Sequence, residues 1–274
     1  MKPVPPRAPG AAVRGGWWRV PAAGDVPDRL APQVVAWGLL LLLLAGLFTA
    51  AFLALDYRWN WAAVWRYRTS LFRGWLLTLG LSLAALLLSG LLGALAALAA
   101  QSRLRLPRAA ARLYVELIRG TPLLVQILVF FYVVADAAGI GNRHLAGVLI
   151  PAVFSGAYLA EIFRAGLESV GRSQWETARA LGLTPAQTYR LVVLPQALRQ
   201  MLPPLAGQWV SLIKDSSLLS VIGLQEFTLA ARDVNAQTYS TLEAYLPLAA
   251  GYLLLTLPLS LWARRLERRT GFET

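Results

Sequence analysis

Residues 34–55 read VVAWGLLLLLLAGLFTAAFLAL and carry no charged side chain. A helix rising about 1.5 Å per residue crosses a hydrocarbon layer of roughly 30 Å in about 20 residues, so this run is long enough to span a membrane. Similar runs recur along the 274 residues, of which 57% are hydrophobic and only 15% charged. A soluble domain has too little interior for that much apolar surface. The chain is therefore read as an all-α polytopic membrane protein. Predicted spans are 34–55, 71–100, 113–134, 145–163, 191–213 and 245–262. The short apolar piece SLLSVIGL (217–224) cannot cross and reads as a re-entrant or peripheral segment buried against protein.

The first span starts too late and is too long for a cleaved signal peptide, and is expected to persist as a helix. Ahead of it, residues 1–33 are rich in Pro and Gly and read as a disordered cytoplasmic arm. Residues 266–274 form a cytoplasmic tail. Direction follows from the arginines. They cluster in the arm, in the loop with Arg103, Arg105, Arg108 and Arg112, in the loop with Arg164, Arg172, Arg179 and Arg190, and near Arg264 to Arg269. Placing these clusters inside puts both termini in the cytoplasm. Residues 57–67, with Arg58 and Arg66 among aromatic side chains, are the exception and read as an outer-surface helix anchored by an aromatic belt.

Cysteine is absent and His144 is the one histidine, which excludes disulfides, thiol catalysis and an imidazole cluster. The net charge of +12 is spread between apolar runs, so no basic domain is left for nucleic acid. The partner expected from composition is the lipid bilayer.

The longest cytoplasmic loop, 172–195, has an unusual local grammar. SQWE places Ser173 as a helix N-cap with Glu176 at capping-box spacing. Gly182 ends that helix through a left-handed residue. TPAQ then starts a second helix, with Thr184 as N-cap, Pro185 at its first position and Gln187 closing another box. Ala178 and Ala180 keep the first helix narrow. Such a pair fits a groove on another protein, and an ordinary capped loop fits the same residues.

The spacing Glu176-Thr177-Ala178, three residues, Gly182, nine residues, Val192, one residue, Leu194-Pro195 resembles the EAA loop of ABC-type importer permeases. Thr177 stands where that pattern has Ala, and Val192 where it has Ile. The stretches ELIRGTPLLVQILVFFYV, AYLAEIFRAGLESV and SLIKDSSLLSVIG are similar to the polar-amino-acid branch of that family. The likeness covers roughly residues 70–265. It implies a five-helix permease core, with 34–55 an extra amino-terminal helix of the kind seen in the general amino-acid subgroup. It implies that Glu176, Ala178, Ala180, Gly182, Leu194 and Pro195 dock a cytoplasmic ATPase subunit. Two permease chains would be needed, the extra helix favouring a distinct partner over an identical one, and the substrate would arrive on a periplasmic amino-acid-binding protein. Neither lysine, Lys2 nor Lys214, follows a glycine-rich phosphate loop. The chain is thus expected to hold no cofactor and to be no enzyme, with ATP and Mg on the partner ATPase.

Ionisable groups cost roughly 2.5–3.5 kcal/mol at the centre of a membrane helix, so those inside the spans are candidate pathway or gate residues. Glu116 and Arg119 sit three apart and can pair locally. Thr121-Pro122 breaks the helix ladder, and Gln126 offers an amino acid both a donor and an acceptor. Glu161 and Arg164 repeat the three-residue spacing, and both a packing salt bridge and a pathway role fit them. Lys214, Asp215, Ser216 and Ser217 lie where a span gives way to the short apolar piece. Lys214 and Asp215 supply one charge each for a zwitterion, or neutralise one another. A competing reading is an ion-gradient-driven secondary transporter, which predicts inverted repeats and paired broken helices. An intramembrane enzyme finds no catalytic cluster to build on.

Overall fold

The computed structural model describes residues 30–54, 57–139 and 141–270. The expected disorder of the arm falls almost wholly outside those residues, as does the end of the tail. The long apolar runs are helical, and no strand occurs among the described residues.

The chain divides between Arg58 and Trp59 into two units. In the first, α1 (Leu30–Ala54) takes in residues 34–54 of the first predicted span and starts ahead of it, so residues 30–33 of the arm are helical rather than disordered. Its described side chains are almost uniformly exposed, an apolar surface suited to lipid or protein contact rather than water.

The second unit opens with the short α2 (Trp61–Trp65) and the long α3 (Arg68–Ala100). Then come α4 (Arg105–Arg119) and α5 (Leu123–Val129), which runs on into a π-helical turn, Phe130–Ala135. After α6 (Arg143–Glu168) the chain forms α7 (Arg172–Ala180) and α8 (Pro185–Thr188). A second π turn, Tyr189–Val193, leads into α9 (Leu194–Asp215). A 3₁₀ turn, Ser216–Ile222, α10 (Phe227–Thr238) and α11 (Thr241–Thr270) complete it.

Three helices, α3, α6 and α11, are long and apolar enough to cross a membrane, and α4 with α5 makes a fourth if that pair is one broken span. Of the other two predicted spans, α1 has a described apolar stretch over Val35–Ala51. In α9 the apolar character is diluted by Arg199, Lys214, Asp215 and the interior Pro203 and Pro204. The third predicted span, 113–134, is not one helix: α4 and α5 meet at 107°. Pro122 is the cause, because proline disfavours a helical residue before it and donates no amide hydrogen bond. Residues 216–222 are too short to span, as expected, and Leu219 and Ile222 are buried with Leu81, Leu123, Ile127 and Leu224.

The most extensive packing is between α3 and α6. It depends on small residues, since lipid gives apolar helices little reason to associate beyond close van der Waals fit. A Cβ on Gly93 would stand 2.6 Å from that of Leu159, and one on Gly156 3.1 Å from that of Leu92. Gly93→Leu is therefore expected to cost about 1–3 kcal/mol through overpacking. Gly90→Leu, on a face with nothing within 4 Å, is its neutral control. Thermal unfolding of the detergent-solubilised complexes separates the two; equal melting would refute the close approach.

Two buried carboxylates, Glu226 and Glu243, were not anticipated. Glu226 is fully buried and caps α10, accepting from the backbone N–H of Leu229 at 2.8 Å and of Thr228 at 2.9 Å. The Tyr252 hydroxyl donates to it at 3.1 Å, which ties the α10 cap to α11. Thr78 of α3 accepts from the N–H of Phe227 at 3.1 Å.

Candidate functional site

The loop between α6 and α9 has a precise turn at its centre. Gly182 has φ +76°, the left-handed conformation that penalises any Cβ. The N–H of Leu183 donates to the Ala178 carbonyl at 3.1 Å and that of Gly182 to Arg179 at 2.9 Å. Together these bonds form a Schellman motif. The second expected capping box is present: Thr184 Oγ1 accepts from the N–H of Gln187, and Gln187 Oε1 accepts from the N–H of Thr184 at 2.9 Å. The first is not. Gly171 rather than Ser173 is the N-cap of α7, with no side-chain cap, because the helix begins earlier, at Arg172. Glu176 is consequently left out of a box and exposed.

Ala180 and Pro195 are also exposed, and Leu194 is partly so at 38%. Ala178 is 2% exposed, so it packs inward rather than outward. Trp175 and Tyr189 meet edge to face at 5.8 Å and lock α7 onto the π turn ahead of α9. That turn precedes Pro195, whose ring would otherwise press on the carbonyl of Leu191.

The 107° bend is held by Gln126. Its Nε2 donates to the Ile118 carbonyl at 2.7 Å, to Thr121 Oγ1 at 2.8 Å and to the Thr121 carbonyl at 3.2 Å. The donor expected to be free for a ligand is therefore spent on backbone that Pro122 leaves open. Gln126 Oε1 is buried and has no partner among the described residues. Thr121 also donates its hydroxyl to the Leu117 carbonyl at 3.0 Å.

Beside the bend lies a run of charges. Arg119 reaches Glu161 of α6 at 3.1 Å and its guanidinium sits 5.3 Å from the Tyr158 ring centroid. The expected local pair with Glu116 is not formed; the carboxylate and aromatic face of α6 together hold the guanidinium better than one exposed carboxylate does. Glu161 and Arg164 pair as expected, through two 3.0 Å hydrogen bonds, and Arg164 extends to Glu168 at 2.6 Å. Glu116, Arg119 and Glu161 line a polar cavity of about 500 Å³, to which Arg112, Arg164 and Glu168 also contribute. Arg119 and Glu161 line a second, of about 430 Å³, with Tyr158, Gln200 and Pro204. Interleaved cations and anions can offer a zwitterion a partner for each of its charges.

Lys214, Asp215, Ser216 and Ser217 line neither cavity. Lys214 is exposed, Asp215 half-buried, and the two form no ion pair among the described residues, since adjacent helical positions point about 100° apart. Ser216 and Ser217 donate to the carbonyls of Ile213 and Lys214, each at 2.7 Å. The structure thus gathers Glu116, Arg119 and Glu161, and leaves the KDSS group at the far end of α9.

Residues 89–272 match the family described as binding-protein-dependent transport system inner membrane component. The glutamine transport system permease protein of Escherichia coli K12 is 39% identical over 215 residues, covering 77% of this chain and 98% of that one. The L-cystine transport system permease protein of Bacillus subtilis is 36% identical, covering 70% and 82%. Among solved structures, an amino acid ABC transporter with histidines superposes with a TM-score of 0.72 at 36% identity, covering 78% of this chain and all of that one. An inward-facing methionine ABC transporter shares the fold at 16% identity and a TM-score of 0.58. A match running from the middle of α3 to the end of α11, with relatives covered almost whole, leaves one assignment: the chain belongs to the inner-membrane components of binding-protein-dependent transport systems, the permease subunits of ABC importers.

Proposed function

We propose that this permease imports polar amino acids, with glutamine the first substrate to test, and that import is driven through residues 172–195. The cargo reading draws on the glutamine permease relatives and on the alternating charges of the Glu116–Glu161 cavity. The observation that carries the coupling is the exposed α7–α8 pair, stiffened by a Schellman turn and a capping box. A partner ATPase holds ATP and Mg and engages Glu176, Ala180, Gly182, Leu194 and Pro195. When two ATPase subunits close they draw two such loops together and tip the attached helices between inward-open and outward-open states. Only cargo contacts that differ between those states couple transport to hydrolysis.

The complex contains a second permease, distinct from this one, and receives cargo from a periplasmic binding protein. Both termini face the cytoplasm, with α1 a span additional to the five-helix core of residues 70–265. Glu116 and Glu161 line the cargo route near its cytoplasmic end, Thr121 and Gln126 hold the bend beside it, and Lys214 to Ser217 form part of the opposite gate. No observation favours the ion-gradient alternative.

The chain lacks cysteine, so one engineered thiol reports cleanly. Ala180→Cys is expected to crosslink to single-cysteine ATPase variants in the assembled complex, with a yield that changes on adding ATP. Proteoliposomes holding the same complex are expected to accumulate labelled glutamine only with ATP and binding protein. An assembled complex in which Ala180→Cys is accessible but never crosslinks would remove the coupling assignment.

A further inference from the structure

A groove of about 580 Å³ lies where α2 and the start of α3 meet the first residues of α10 and the proline near the start of α11. Its size falls within the roughly 300–1,000 Å³ of small-molecule sites. Trp61, Trp65, Phe72, Phe227 and Pro247 line it, and among the described residues Arg68 is the one charged side chain on its wall. Arg68 is fixed at the rim. Its Nη1 donates to the Trp65 carbonyl at 3.1 Å and its guanidinium lies 5.3 Å from the Trp65 ring centroid. Arg66 follows Trp65 at the end of α2 and is exposed. Neither arginine has an acidic partner within salt-bridge distance among the described residues. In the orientation proposed above these cations lie on the outer side, against the usual charge bias, and their charges are free to meet a local anion.

We infer that the groove seats an acyl chain of an anionic glycerophospholipid whose phosphate is held by Arg68, with Arg66 adding to the local positive field. The apolar wall takes the chain, and the guanidinium at its edge takes the phosphate through charge-assisted hydrogen bonds. Trp61 and Trp65 suit this depth, because an amphipathic ring ranks well where hydrocarbon gives way to headgroups.

The test is native mass spectrometry of the assembled transporter, titrated with dioleoyl phosphatidylglycerol or dioleoyl phosphatidylcholine. The wild type is expected to retain the anionic lipid in clear preference to the zwitterionic one. Arg68→Gln is expected to lower phosphatidylglycerol retention about fivefold while leaving phosphatidylcholine unchanged. Ala62→Trp, which fills the groove and keeps the arginine, is expected to lower both, and guards against misreading a folding defect in the first variant. Equal retention of the two lipids by the wild type, or no response to Arg68→Gln, overturns the proposal. Retention of neither lipid overturns it as well.

Discussion

Gly182→Val is expected to cut ATP-driven uptake by roughly tenfold or more, since a left-handed backbone costs a residue with a Cβ about 1–2 kcal/mol and about 1.4 kcal/mol is one decade. A β-branched side chain raises that cost. Space is not the obstacle: nothing lies within 4 Å of a Cβ built on Gly182. The penalty is purely conformational, and it falls on the two hydrogen bonds that set the angle between α7 and α8. Gly182→Asn gives the decisive comparison, because asparagine enters the left-handed region at lower cost and should keep most of the uptake. Uptake and ATPase rate are measured on the same proteoliposomes, with crosslinking from Ala180→Cys reporting whether the ATPase remains engaged. Wild-type uptake by an intact Gly182→Val complex would show that the turn does not carry the coupling.

The parts of the molecule governed by local rules were legible in the sequence. Gly182 lies at positive φ and Thr184–Gln187 closes its box, because capping depends on a few neighbouring residues. Apolar runs announced the helices, and Thr121-Pro122 announced the break in the ladder between α4 and α5, but not the angle of the bend. Residues 113–134 look continuous in hydropathy, whereas the 107° bend depends on Pro122 and on Gln126 spending its amide on the carbonyls freed there. Ser173 was misjudged as a cap since two start points two residues apart, Gly171 and Ser173, both satisfy local preference, and the helix takes the earlier one. Tertiary pairing was the least legible. Arg119 had Glu116 one turn away, yet it takes Glu161 on another helix, and no spacing along the chain encodes that choice. Glu226 was missed because glutamate is not among the preferred N-cap residues, although its capping bonds to Thr228 and Leu229 are local, and because its ties to Thr78 and Tyr252 join residues far apart in sequence.

Glu161→Gln separates the two roles that the sequence left open for this residue. Glu161 holds Arg119 at 3.1 Å and Arg164 at 3.0 Å, with about a third of its own side chain exposed, 31%. Solvent screening limits each ion pair to about 1 kcal/mol or less of stability, so packing alone predicts a modest fall in melting temperature. A carboxylate that receives the ammonium group of the cargo is worth more, because a hydrogen bond to a charged group contributes about 1.5–3 kcal/mol. Equilibrium binding of labelled glutamine to the assembled complex, without binding protein, is therefore expected to weaken about tenfold or more. Arg164→Gln should be milder, since Glu161 keeps its charge and its contact with Arg119. Glu161→Asp should restore part of the binding by returning the charge on a shorter stem. Lower melting with unchanged glutamine affinity would make Glu161 a strut between α4 and α6, and would move the cargo contact to Glu116, the acid on that cavity wall that has no ion pair among the described residues.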